Sequence, residues 1–183
     1  MVEDFVDGER VGEVVKIDSS GGDLFTAWFL RLFYAMFYSV LAGGSTSFGA
    51  KDDGGIDRSF LVRTSMYGSS TTIFSTYKCP GGVRVRYGSD STPPSRADYK
   101  LVSEIYVDSN PVLVIDESRG YVWVQSVVTF SSDVTVCEVG LSLYGTVVGD
   151  STCGEFLVDR TVFSPCRSIP ANTPYTVRYR IQL

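Results

Sequence analysis

The chain has 183 residues, of which 44% are hydrophobic and 20% charged, so it can form one domain with a core and is not compositionally disordered. A formal net charge of −5 without any Lys/Arg run argues against a nucleic-acid-binding protein, because the chain would repel phosphate. The absence of histidine removes the commonest general base and zinc ligand, and with them every Ser-His-Asp or Cys-His arrangement.

The N-terminal part predicts a short strand followed by one helix. Residues 11–17 form an apolar run typical of a strand, and the acidic start of the chain lacks the basic and apolar regions of a signal peptide. Residues 24–42 are apolar or aromatic nearly all round and have the length of a helix of about five turns. Arg31 within this run argues against a membrane span. We therefore expect a helix that is covered by protein or by neighbouring subunits, with four candidate assembly residues: Trp28, Phe29, Phe33 and Phe37.

The next segments predict a loop and then a hairpin. Residues 43–57 are rich in glycine, and the spacing of Asp52, Asp53 and Asp57 is not that of an EF-hand, so we expect a solvated loop without bound metal. Residues 59–66 and 71–78 flank a turn and predict two paired strands.

From residue 81 to the C-terminus the pattern is that of strands separated by turns. Residues 81–88 alternate, with Val85 and Tyr87 on one face and Arg84 and Arg86 on the other, which we interpret as a solvated face. The Pro-rich segment 89–104 predicts a loop that Tyr99 and Leu101 pin back onto the body of the protein. Further strands are predicted at 112–116, 121–130, 134–145, 155–163 and 173–183, with a turn at 164–172.

Strands that recur about every ten residues are typical of an antiparallel sandwich or barrel. The predicted fold class is therefore mainly β: a jelly-roll-like antiparallel β-sandwich with one N-terminal apolar α-helix. We divide the chain into residues 1–58, with the first strand, the helix and the Gly-rich loop, and residues 59–183, with the sandwich. The two parts are expected to form one compact unit.

Four cysteines, Cys79, Cys137, Cys153 and Cys166, are candidates for disulfide bonds. None lies in a C-x-x-C pair, which gives no support to a zinc ribbon or a thioredoxin-like site. An even number allows two disulfides in three pairings, and free thiols buried in strands are the open alternative.

The sequence contains no recognisable catalytic motif. A pair of carboxylates of the glycosidase kind is the remaining enzymatic option, with Asp116 and Glu117, or Glu138 and Asp159, as candidates. Spacing does not distinguish these pairs from ordinary surface acids. We therefore expect a protein that is not an enzyme and has no cofactor.

Two stretches resemble structural proteins of tailed phages and archaeal tailed viruses. The first is a strand and turn followed by a P-x-R-x-D-Y-x-L loop and an acid, matched here by Gly88, Pro94, Arg96, Asp98, Tyr99, Leu101 and Glu104. The second, residues 136–183, is similar to their C-terminal part, with an E-V-G-L-x-L strand, a D-R-T-V-F-x-P strand, a P-A-G-T turn and an alternating last strand. The turn departs from that pattern, since Asn172 replaces glycine, but asparagine also accepts positive φ.

Four charged residues lie within these motifs: Arg96, Asp98, Asp159 and Arg160. They either form ion pairs or hydrogen bonds that hold the structure, or they are ordinary solubilising residues.

The resemblance implies a component of a virus particle and no catalytic residue. We expect a virion subunit of the neck, the tail or the capsid decoration that assembles with copies of itself and with other virion proteins. Three alternatives stay open: a receptor- or glycan-binding module, a protein anchored in a membrane by residues 24–42, and a carboxylate hydrolase.

Overall fold

A computed structural model describes residues 2–14, 31, 34–35, 45–63, 82–116, 121–148 and 153–182. These residues are mainly in β-strands. The strands are β1 (Val2–Val6), β2 (Glu9–Val14), β3 (Ser45–Lys51), β4 (Asp57–Arg63), β5 (Gly82–Gly88), β6 (Glu104–Asp108), β7 (Val112–Asp116), β8 (Tyr121–Thr129), β9 (Val134–Thr146), β10 (Cys153–Ile169) and β11 (Pro174–Gln182).

The strands form two large antiparallel sheets and one small one. The five-stranded sheet has the order β2-β1-β11-β8-β7, the four-stranded sheet has the order β10-β9-β5-β6, and β3 pairs with β4. The first and last strands of the described chain are neighbours, with Val2 opposite Tyr179. Strands from residues 1–58 therefore share sheets with strands from residues 59–183, through β1 with β11 and β3 with β4.

The two large sheets share one core. Val85 and Tyr87 of β5 and Val177 of β11 are fully buried, and the Tyr87 hydroxyl donates a hydrogen bond to Ser126 Oγ of β8 at 2.6 Å. The ring centroids of Tyr87 and Tyr175 lie 6.0 Å apart, in an edge-to-face arrangement. The alternation predicted for the last strand is confirmed, because Tyr175, Val177 and Tyr179 all point into this core.

The prediction of a loop over residues 43–57 is wrong for its first half. Residues 45–51 form β3, and Phe48 packs against Phe60 of β4 and Phe156 of β10, with ring centroids 5.8 and 5.1 Å away. β4 pairs with β3, and the predicted pairing of 59–66 with 71–78 stays a prediction. Residues 71–78 lie outside the described part of the chain.

The prediction of a turn over residues 164–172 is wrong at its start. β10 continues to Ile169 through a cis peptide bond between Ser164 and Pro165, with a shift in register between Val162 and Arg167. Proline is tolerated here because β10 is an edge strand and is irregular at this point. The tight turn that follows contains Asn172 with φ of 60°, a conformation that asparagine accepts.

Candidate assembly surface and its internal supports

The first predicted site residues are the cysteines. Cys137 of β9 and Cys166 of β10 form a disulfide, which joins the two strands beside the shift in register of β10. Cys153 is also disulfide-bonded, whereas Cys79 lies outside the described residues. Of the two alternatives that the sequence left open, the disulfide is therefore the one found at these three cysteines.

The predicted assembly helix falls mostly outside the described residues, and so do all four of its candidate contact residues, Trp28, Phe29, Phe33 and Phe37. Arg31, Tyr34 and Ala35 are described and are helical. No helix in the described ranges is both long and apolar enough to cross a membrane.

The expectation that Arg84 and Arg86 lie on a solvated face is wrong. Arg86 is 7% exposed, and its guanidinium donates to Glu155 at 2.9 Å and to Glu104 at 2.5 Å. Arg84 donates to the other oxygen of Glu155 at 2.6 Å. The backbone N–H of Asp53, in the turn between β3 and β4, donates to the Glu155 carbonyl, so this turn covers part of the face. Burial by itself would lower the pKa of Arg86, but the hydrogen bond and charge of Glu155 outweigh it and raise that pKa, which keeps the guanidinium charged.

A second buried arginine holds the loop of residues 89–103 against the four-stranded sheet. Arg160 of β10 is 2% exposed, and it donates to Glu138 at 2.7 Å, to Asp98 at 3.0 Å and to the Thr92 carbonyl at 3.0 Å. Glu138 in turn accepts a hydrogen bond from the Ser103 backbone N–H at 2.8 Å. Both ends of the loop are thus fixed to the pair of Arg160 and Glu138.

The residues of the P-x-R-x-D-Y-x-L pattern have distinct places in this loop. Asp98 pairs with Arg160 and not with Arg96, which is exposed. Leu101 is 2% exposed and packs over Gly140, where an added Cβ would lie 2.9 Å from the leucine. The predicted pinning of the loop by Leu101 is therefore confirmed, and Asp98 and Arg160 are structural rather than solubilising residues.

The candidate carboxylate pairs do not form an accessible acid pair among the described side chains. Glu138 and Asp159 are both fully buried, and Glu138 is occupied by Arg160 and by backbone N–H groups of the loop. Of the other pair, Glu117 and the side chain of Asp116 lie outside the described part of the structure. Within the described ranges no cluster of acids or cysteines has the arrangement of a metal site.

Asp52 stabilises the turn between β3 and β4, which the sequence predicted to be part of a solvated loop. It is 8% exposed, its Oδ1 accepts hydrogen bonds from the backbone N–H groups of Gly54 and Ile56, and its Oδ2 accepts from Arg58 at 3.0 Å. Burial by itself would raise the pKa of Asp52, but these donors lower it. The carboxylate therefore closes the turn between β3 and β4.

Another buried acid lies between the two large sheets. Asp4 of β1 is fully buried, and its Oδ2 accepts hydrogen bonds from Arg167 at 2.7 Å and from the Tyr175 hydroxyl at 3.3 Å. Arg167 follows Cys166 directly, so this ion pair ties β1 to the strand that carries the disulfide. Burial, together with the negative charge of Asp4, raises the pKa of Tyr175 well above its usual range.

In contrast to these buried charges, one side of the protein exposes apolar residues. β6 and β7 are edge strands of the two large sheets, and the chain connects them directly through residues 109–111. The exposed apolar side chains of this side are Ile105, Tyr106, Val112, Leu113 and Val114, each at least 40% exposed. We name these five residues the apolar edge. The sequence predicted β7 as a strand, but its place at an edge depends on the strand order, which no local pattern reveals.

Comparison with family models, with curated proteins and with solved structures finds no match to this chain.

Proposed function

We propose that this protein is a non-enzymatic structural subunit of a tailed-virus particle and that it acts by assembling with copies of itself. The observation that carries the proposal is the apolar edge, because two edge strands that the chain joins directly leave five apolar side chains exposed, and exposed apolar strand edges are surfaces on which other chains can pair. The viral context rests on the resemblance of residues 83–183 to virion proteins. We also propose that the two large sheets form a jelly-roll-like β-sandwich.

The use of charge inside the protein supports a structural role. Arg86, Arg160 and Arg167 each bind a carboxylate that is at most 4% exposed, so three of the most costly groups to bury serve to fix strands and loops. An active site would instead need acids or bases that a substrate reaches, and Glu138 and Asp159 are both out of reach.

Light scattering and electron microscopy of the purified protein test the assembly. A particle subunit is expected to give one defined species larger than a monomer, most simply a closed ring or another symmetric oligomer. A monomer at every concentration would contradict the proposal. Mass spectrometry of virus particles purified from the source of the sequence tests the location, with the chain expected in many copies per particle.

A receptor- or glycan-binding module is the second candidate, favoured by the outer face of the five-stranded sheet. The Arg178 guanidinium lies 4.6 Å from the ring centroid of Phe5 and 5.7 Å from that of Trp123, and it donates to Gln125. Stacking holds this cation in place, and within the described part of the chain no carboxylate pairs with it. Acidic sugars fit such a site. Binding to a glycan array that is lost in Arg178→Met would favour this candidate over the first.

A further inference from the structure

The four outer strands of the two large sheets differ in how they are protected. Edge strands expose unpaired backbone groups, and proteins usually block such edges with charges, bulges or proline. β10 has two shifts in register, β6 begins and ends with an acid, and β2 contains Glu9, Arg10 and Glu13. β7 has no charged residue before Asp116, and its pairing with β8 runs without a shift. Among these four edges, β7 is therefore the one that no charge within the strand or register shift protects.

The core itself is open beside β7. Leu113 lies opposite Val124 of β8, on the side that faces the core, yet Leu113 is 61% exposed while Val124 is 5% exposed. The difference arises because β7 is the last strand of its sheet. A strand added beyond β7 would cover Leu113 and continue the core.

Charge indicates which strand can be added. When two copies of one edge strand pair about a two-fold axis perpendicular to the sheet, side chains on the same face meet in directly opposite pairs. Pairing of β6 about Tyr106 places Glu104 opposite Asp108 of the second copy, and like charges in such positions destabilise the pair. Pairing of β2 about Val11 likewise places Glu9 opposite Glu13.

The same operation on β7 gives apolar pairs only. About Leu113 it places Leu113 opposite Leu113, and Val112 opposite Val114, of the second copy. Val112 and Val114 are 57% and 42% exposed, so each pair removes apolar surface from water. The copies carry a net charge of −5 each, and this strand lets them approach without placing acid against acid.

We propose that β7 pairs antiparallel with β7 of a second copy about Leu113, so that the two five-stranded sheets become one sheet of ten strands. This inference rests on the proposed function and names the contact through which the copies meet. Two paired five-residue strands bury much less surface than the roughly 1,200–2,000 Å² that stable protein–protein interfaces bury. By itself the pair therefore gives a weak dimer that forms at high concentration.

Cysteine trapping tests the register. In Leu113→Cys the introduced thiols of the two copies lie directly opposite, within the reach of a disulfide, and all cysteines among the described residues are already bonded. The matched control is Val11→Cys, at the middle of β2 and 43% exposed. We expect mild oxidation to give a covalent dimer of the first variant and not of the second. Equal cross-linking of the two variants, or none of the first, would overturn the proposed pairing.

A charge placed on the strand provides a second test. Val114→Lys should raise the dissociation constant of the dimer by roughly tenfold in sedimentation equilibrium, because both apolar pairs between Val112 and Val114 of the two copies would be lost. Val127→Lys is the control, since Val127 is 55% exposed but lies on β8, one strand in from the edge. An unchanged dissociation constant in Val114→Lys, or an equal effect of both changes, would overturn the pairing.

The outcomes separate this inference from the proposed function. If the wild-type protein forms a defined assembly and Val114→Lys leaves it intact, the subunit function stands and the β7 pairing is wrong. If Leu113→Cys is trapped as a dimer while the wild-type protein gives no larger assembly, the pairing stands and the role as a self-assembling particle subunit is wrong.

Discussion

Arg160 and Glu138 form an ion pair whose two side chains are 2% and 0% exposed, with 2.7 Å between Nε and Oε2. The pair connects β10 to β9 and, through further hydrogen bonds, both strands to the loop of residues 89–103. Arg160 holds one end of the loop through the Thr92 carbonyl and Glu138 holds the other through the Ser103 backbone N–H, so the pair acts as the anchor of the loop.

Removal of the arginine should be strongly destabilising. Arg160→Met leaves Glu138 buried without a counter-charge, for which we expect a loss of about 3–5 kcal/mol in the free energy of unfolding. Urea denaturation measures this loss. The control is Arg96→Met, an exposed arginine in the same loop, which should change stability by less than about 0.5 kcal/mol. Adding Glu138→Gln to Arg160→Met should recover part of the loss, and an equal or greater loss in the double variant would contradict the role of the buried charge.

The packing of the loop depends on a glycine beneath it. In Gly140→Ala the new Cβ would lie 2.9 Å from the Cδ atoms of both Leu101 and Leu157, so these two buried side chains must shift, which loosens the contact by which Leu101 holds the loop. We expect a loss of about 1–3 kcal/mol, as in other overpacked sites, together with faster proteolysis within residues 89–103. Gly82→Ala is the matched control, since it also lies in a strand of this sheet and has open space around its Cβ position. Equal cleavage rates in the two variants would show that Gly140 does not set the position of the loop.

The disulfide between Cys137 and Cys166 should stabilise the protein chiefly by lowering the conformational entropy of the unfolded chain. The two cysteines are 29 residues apart, and closing a loop of that length contributes about 3–4 kcal/mol in the chain-entropy description. We therefore expect Cys137→Ala/Cys166→Ala to lower the free energy of unfolding by up to this amount. Denaturation under oxidising conditions, which leaves the bond of Cys153 intact, is the measurement. A loss well below 1 kcal/mol would contradict this description.

Sequence patterns revealed strands where core-facing side chains alternate, as in β5, β9 and β11, and failed where a charge takes a core position. β1 was missed because Asp4 occupies a core-facing position, and its partner Arg167 is 163 residues away. Arg86 was assigned to solvent because it lies on the face of β5 opposite the core, and the groups that bury it there, such as Glu155, are distant in the sequence, in that case by 69 residues. Local periodicity carries no information about such pairs. Of the apolar edge, only β7 was predicted as a strand, and its place beside solvent follows from the order of strands in the sheet.

Two buried tyrosines predict how stability depends on alkaline pH. Burial raises the pKa values of both Tyr87 and Tyr175 well above the ordinary value of 10.0, and the negative charges of Asp108 and Asp4, respectively, add to the effect. In the unfolded chain both phenols ionise near pH 10, while in the folded protein they keep their protons. The folded state therefore binds more protons above pH 10, and stability, complete below that pH, falls as the pH rises.

Each tyrosine should contribute a fall of about 1.4 kcal/mol per pH unit above pH 10. Tyr87→Phe and Tyr175→Phe should each remove one such contribution and flatten the dependence, although each also loses a hydrogen bond and starts from a lower stability. Tyr34→Phe is the control, because Tyr34 is 71% exposed. Urea midpoints measured between pH 8 and pH 11, taken soon after the pH change to limit disulfide exchange, give the slopes. If both core variants keep the wild-type slope, ionisation of these two phenols is not what destabilises the folded protein in alkali.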